Sequence, residues 1–188
     1  MDFSRSLKRF SRNLWTSCTS TPPAILLSTL AALDYMVVGA DQLIGGPWPD
    51  NEAGVSMLDW HTGTPNAKYW IVNLLATTVG GKDLKILTKA TVSAPTQATD
   101  AAAMLHAMPY ILDATKEKGV LLVNKKARPL AVQLQGLSAN CSATIVEVSG
   151  AEPACNPPVQ RSVRSGGTLE LGPLAVAIIP DTPGCFAA

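Results

Sequence analysis

The side chains best suited to chemistry crowd into one stretch rich in glycine and proline. Residues 39–54 hold Asp41, Gln42, Trp48, Asp50 and Glu52, and Ser56 follows at once. Gln42 carries an amide that donates and accepts hydrogen bonds together. Asp41 beside it can act as an acid or simply form the turn at a strand end. Trp48 offers an aromatic platform or a loop anchor. Asp59 and His61 are near enough to pair, and beside a turn such a pair stabilises the loop. Only two histidines exist, His61 and His106, and none of the four cysteines forms a C-x-x-C pair. That spacing does not suit a structural zinc site, and no cofactor or metal is expected. Cys141 and Cys155 flank one strand-and-turn segment and could be joined. Four cysteines (Cys18, Cys141, Cys155, Cys185) allow three connectivities, and buried free thiols are the alternative.

The elements around these residues fall into two textures. Residues 24–33 are almost uniformly apolar and read as a buried helix after the loop at Pro22-Pro23. Residues 35–38 suit a short strand covered on both faces. The 39–54 loop would leave the carboxyl end of that strand, where barrel enzymes build their sites. Thr64 is placed as N-cap and Pro65 as the first residue of a second helix. Ile71, Val72, Leu74, Leu75 and Val79 give that helix a broad apolar face, and Gly80-Gly81 ends it. After residue 81 the segments become short and β-rich. Strands are expected at 84–92, 103–113, 120–123, 130–134, 143–148, 168–171 and 174–179. Pro109 marks the second of these as an edge or a bulge. Residues 116–119 read as a turn and 150–167 as a long loop. Some seven short strands of this kind suggest an antiparallel sandwich.

Composition narrows the function. Apolar residues make up 47% and charged residues 15% of the 188, so the chain is not disordered. A net charge of +1 gives no field to recruit nucleic acid or an anionic membrane. The apolar run at 24–33 is too short to span a bilayer. With a basic stretch before it and Val38-Gly39-Ala40 after it, that run could pass for a signal-peptide core. Pro22-Pro23 and Asp34 interrupt the pattern, and a barrel helix leading into a strand is the better reading.

The run Gly54-Val55-Ser56-Met57-Leu58-Asp59-Trp60-His61-Thr62-Gly63-Thr64-Pro65-Asn66-Ala67-Lys68-Tyr69-Trp70 resembles the segment before the final barrel helix of heparanase-like and β-glucuronidase-like glycoside hydrolases (family 79 and relatives). Val38-Gly39-Ala40-Asp41-Gln42-Leu43-Ile44-Gly45 is similar to that family's last barrel strand, with its strand-end glutamine. Gly119-Val120-Leu121-Leu122-Val123-Asn124-Lys125 resembles a strand of the appended β-domain. Residues 165–175, with Leu169, Leu171 and Pro173, resemble its closing strands. The likeness runs from about residue 24 to residue 180.

That resemblance implies a mixed architecture: the terminal strand and helices of a (β/α)8 barrel in residues 1–81, and an antiparallel β-sandwich domain in 82–188. It implies a glycan or glycoside substrate, with Gln42, Asp41, Trp48 and Ser56 as the candidate substrate-binding residues, and an extracellular or secretory setting. It carries over no catalytic residue. Most glycoside hydrolysis needs two carboxyl groups, roughly 5 Å apart in retaining enzymes. The family's two glutamates stand on earlier barrel strands, whereas Glu52 is the lone glutamate of residues 1–81. The expectation is a carboxy-terminal hydrolase fragment, inactive alone, partnered by the missing barrel portion. The alternative is a freestanding non-catalytic sandwich that binds carbohydrate or a protein. Trp60, Tyr69 and Trp70 are expected as contacts between helix and β-domain, and His106 as structural.

Overall fold

A computed structural model describes residues 57–58, 62–87, 104–137, 141–147, 157–181 and 185–186. Within them the chain order is helix α1 (Ala67–Val79), then β1 (Leu84–Ile86), β2 (Leu105–Leu112), β3 (Lys118–Asn124), β4 (Leu130–Gln133), β5 (Cys141–Val146), β6 (Val159–Val163), β7 (Thr168–Leu171) and β8 (Val176–Pro180). Six strands form one sheet in the order β1-β2-β3-β8-β5-β6, and β4 pairs with β7 in a second. Every described strand pairing is antiparallel.

The period-2 pattern of the strands explains the layering. Leu169 and Leu171 of β7 point inward while Thr168 and Glu170 stay exposed. With Val132 they pack on Leu122, Ala143, Ile145, Ala177 and Ile179 of the large sheet. The opposite face of that sheet carries Met108, Leu121, Val123, Val146, Val176 and Ile178, and these meet Ala67, Ile71 and Leu74 of α1. β3 and β8 are therefore covered on both sides, which is why each reads as a continuous apolar run. Each large side chain so buried contributes about 1.5–3 kcal/mol. Trp70 packs at the margin of the helix-side cluster, edge-on to Tyr69, as expected for helix–sandwich contacts. Trp60 lies outside the described residues.

Helix α1 starts later than expected. Asn66, not Thr64, is the N-cap: its Oδ1 accepts from the N–H groups of Lys68 (3.0 Å) and Tyr69 (3.3 Å). The chain is still extended at Pro65, which bridges to Leu58, and Asn66 N–H donates to the Met57 carbonyl at 3.0 Å. Thr64 is tied instead to Thr62. At the other end Gly80 closes the helix in an extended conformation, and Gly81 takes the left-handed one, with φ 67°.

Several strand expectations shift. β1 covers only the start of the 84–92 segment, of which 88–92 lie outside the described residues. Pro109 is in neither an edge strand nor a bulge, because β2 is paired on both sides. Its carbonyl accepts from Leu87 N–H at 2.9 Å, and because proline has no N–H to return that bond, it sits where the β1 ladder ends. The turn expected at 116–119 comes earlier, since Lys118 and Gly119 already belong to β3. The loop expected at 150–167 contains β6, an edge strand paired to β5. Four of its five residues are exposed, so no apolar alternation betrays it.

Cys141 and Cys185 form a disulfide, with Cα atoms 5.0 Å apart across 44 residues. This overturns the Cys141–Cys155 pairing. Cys18 and Cys155 lie outside the described residues.

The β2–β3 hairpin is closed by Leu112 N–H to the Glu117 carbonyl and Lys116 N–H to the Leu112 carbonyl, both 2.8 Å. Its geometry forces Lys116 to φ 59°. A left-handed non-glycine residue costs about 1–2 kcal/mol, more than the ~0.5–1 kcal/mol that glycine loses in chain entropy. Lys116 also pairs with Asp113, but an exposed pair is worth about 0–1 kcal/mol. Lys116→Gly is expected to stabilise the fold by about 0.5 kcal/mol, read as a raised urea midpoint. A lowered midpoint would mean that the ion pair outweighs the backbone strain.

Candidate functional site

Gln42, Asp41, Trp48 and Ser56 lie outside the described residues, as do Glu52, Asp59 and His61. His106 is on β2, as expected. Burial and then the charge of Lys125 hold its imidazole below the usual range. Among the described residues no group of three His, Cys, Asp or Glu is placed to hold a metal ion. No helix among them is long and apolar enough to cross a membrane.

What the structure does bring together is a cleft of about 250 Å³ at one end of the helix face of the large sheet. The end of α1 and the turn after it bring Thr78 and Lys82. β2 brings Tyr110 and Leu112, and the start of β3 brings Glu117 and Lys118. The end of β8 brings Pro180 and Asp181. Strand register produces this convergence. Met108, Tyr110 and Leu112 share one face of β2, and the antiparallel register sets Tyr110 opposite Gly119, which in turn stands opposite Pro180.

Gly119 is what lets Tyr110 lie flat. A Cβ there would come within 2.3 Å of Tyr110 Cζ and 2.4 Å of its Oη. The ring crosses the bare backbone of β3, and its side chain is left only 2% exposed. Burial, and secondarily the Glu117 carboxylate, pushes the phenol up to about 12. Tyr110 thus stays a neutral hydrogen-bond donor across the ordinary pH range. Around it, Lys82 Nζ donates to the Thr78 carbonyl at 2.8 Å, and Asp181 Oδ2 accepts from Lys118 N–H at 3.1 Å. Nothing in the sequence pattern singles out this cleft. The only signal was a tyrosine and a glycine in adjacent strands, and their register is invisible before the hairpin length is known.

A second polar centre is structural. Asn124 ends β3 fully buried. Its Nδ2 donates to the carbonyls of Arg128 and Gly172, both at 2.8 Å, and its Oδ1 accepts from Lys126 N–H at 2.9 Å. It staples the turn after β3 to the link between β7 and β8.

No protein-family model and no curated protein matches the sequence. Solved structures do match. A glycoside hydrolase family 30 subfamily 8 xylanase from Clostridium acetobutylicum superposes with a TM-score of 0.52 at 12% identity, covering 92% of this chain and 40% of that one. The catalytic domain of a family 30 xylanase C from Talaromyces cellulolyticus superposes with a TM-score of 0.50 at 15% identity, covering 85% and 34%. These neighbours belong to family 30 rather than to the heparanase-like family whose motifs the sequence resembles. The chain spans less than half the length of either, and at such identities the likeness is one of fold: an antiparallel sandwich shared with part of two glycoside hydrolases.

Proposed function

We propose that this chain is the sandwich-bearing carboxy-terminal part of a glycoside hydrolase, cleaving a glycan only when joined to a barrel that carries the two carboxyl groups. The observation that carries this reading is the match over 92% of the chain to only 40% of a xylanase. The character of α1 supports it. From Tyr69 to Val79 the helix has no charged residue, and its exposed positions Asn73, Ala76 and Thr77 are small or uncharged, so no charge opposes a neighbour on the side turned from the sheet. Residues 1–81 are then the barrel end and 82–188 the sandwich, with α1 as the joint. Gln42, Asp41, Trp48 and Ser56 line the glycan cleft of the completed barrel. The family 30 neighbours favour a xylan, and the heparanase-like motifs favour a glucuronide.

The test is hydrolysis of xylan and of an aryl β-glucuronide by the purified chain, beside Glu52→Gln. Neither protein is expected to release product above background. Turnover that Glu52→Gln abolishes overturns the claim that the carboxyl pair lies elsewhere. The native chain is also expected to enhance the fluorescence of an apolar dye strongly. The apolar run at 24–38 would lack its barrel neighbours, and apolar surface left open in that way marks an interface. Absence of enhancement favours a self-contained module instead.

A further inference from the structure

The hydroxyl of Tyr110 is an anomaly. Its side chain is 2% exposed, yet among the described residues its Oη has no hydrogen-bond partner. A buried hydroxyl left unpaired costs about 1–3 kcal/mol, and native folds hold few such groups. The fold goes to some length to keep it there. Gly119 clears the path for the ring, and the ladder sets Pro180 beyond that glycine. The tyrosine forms part of the wall of the 250 Å³ cleft.

We propose that this cleft binds one uncharged, polyhydroxylated ring of pyranose type, with Tyr110 Oη as its central donor. Three properties select that chemistry. First, donors and acceptors both line the cleft. Lys82 uses one N–H on the Thr78 carbonyl and keeps two, while Glu117 and Asp181 bring carboxylates able to accept from vicinal hydroxyls. Second, the two ammonium groups, of Lys82 and Lys118, balance those two carboxylates, so neither an anion nor a cation is favoured. Third, Leu112 and Pro180 supply the apolar surface on which the C–H face of a sugar rests. At about 250 Å³ the space falls below the roughly 300–1,000 Å³ typical of drug-sized ligands, so it takes a single ring. The site belongs to the described sandwich and stands whether or not a barrel accompanies it.

The experiment is an NMR titration of the isotope-labelled full chain with methyl β-xyloside and methyl β-glucoside, with glucuronate and glucosamine as charged comparators. Saturable shifts are expected at the amides of Lys82, Tyr110 and Lys118, with a dissociation constant near 1 mM, the range of a single small ring. Tyr110→Phe keeps the ring volume and is expected to weaken binding about tenfold, the worth of one hydrogen bond in a desolvated site. It should leave the urea midpoint unchanged or higher, because the hydroxyl serves no protein partner. The proposal is overturned if the neutral glycosides give no saturable shift, or if a charged comparator binds more tightly. Unchanged affinity in Tyr110→Phe would mean that water fills the cleft. A lowered midpoint would mean that the hydroxyl is committed to the protein. Either result also overturns it.

Discussion

Asn124→Ala is expected to destabilise the fold by about 3 kcal/mol, since three hydrogen-bonded backbone groups lose their partner at a buried site. The Arg128 and Gly172 carbonyls and the Lys126 N–H all lean on this one amide. They belong to two chain segments nearly fifty positions apart. Water can rescue part of the loss, because the turn at 126–129 is accessible, which is why the figure is not larger. A loss of this size lowers the melting temperature by about 6–12 °C for a chain this long. A change below about 0.5 kcal/mol, the level of an ordinary surface substitution, would reduce the staple to a bystander.

Asn124→Asp separates geometry from chemistry. The shape is kept and so is the acceptor for Lys126 N–H, but a carboxylate oxygen now faces two carbonyls. Burial and those carbonyls disfavour the charged form, so the new carboxyl is expected to titrate above its unfolded value. A group with a raised folded pKa contributes stability below its unfolded pKa and loses it as pH rises through the folded one. The variant should therefore be most destabilised near neutrality and recover below about pH 4, the ordinary carboxylate range. A penalty independent of pH would mean that the Nδ2 bonds contribute little.

How far the sequence speaks for the fold depends on which face of an element is buried. β3 and β8 were legible because both their faces are covered, leaving unbroken apolar runs. β7 matched its expected bounds because it is covered on one face only and alternates. β6 escaped because its exposed residues carry no pattern, and its existence depends on β5 beside it. Thr64-Pro65 is a good helix-start signal locally, which places the expected cap two residues early. The Leu58–Pro65 bridge, a tertiary contact, holds those residues extended and passes the cap to Asn66. Asn124 could be noticed as a polar residue closing an apolar run, but its partners lie across the sheet. For the site the limits are sharper. The glycan-binding candidates rest on motif likeness alone, whereas the Tyr110 cleft exists only through the register of β2, β3 and β8.

Breaking the Cys141–Cys185 bridge is expected to cost about 4 kcal/mol, from the chain-entropy cost of a loop of this length. The bridge ties the first residue of β5 to the segment where Phe186 pairs with Leu137. Both half-cystines are buried in the sandwich core. Without it, the closing segment must be held by that small contact and by the packing of Phe186 against the core. The double variant Cys141→Ala, Cys185→Ala measures the cost in urea without added reductant. If the bridge acts on the unfolded ensemble, folding slows, unfolding is nearly unchanged and the urea slope rises as the unfolded chain expands. If the loss appears instead as faster unfolding, the bridge acts on the native state by holding the 185–186 segment against β5. A loss under about 1 kcal/mol, well below the usual 2–5 kcal/mol for a native bridge, would mean that packing around Cys141 suffices without the covalent tie.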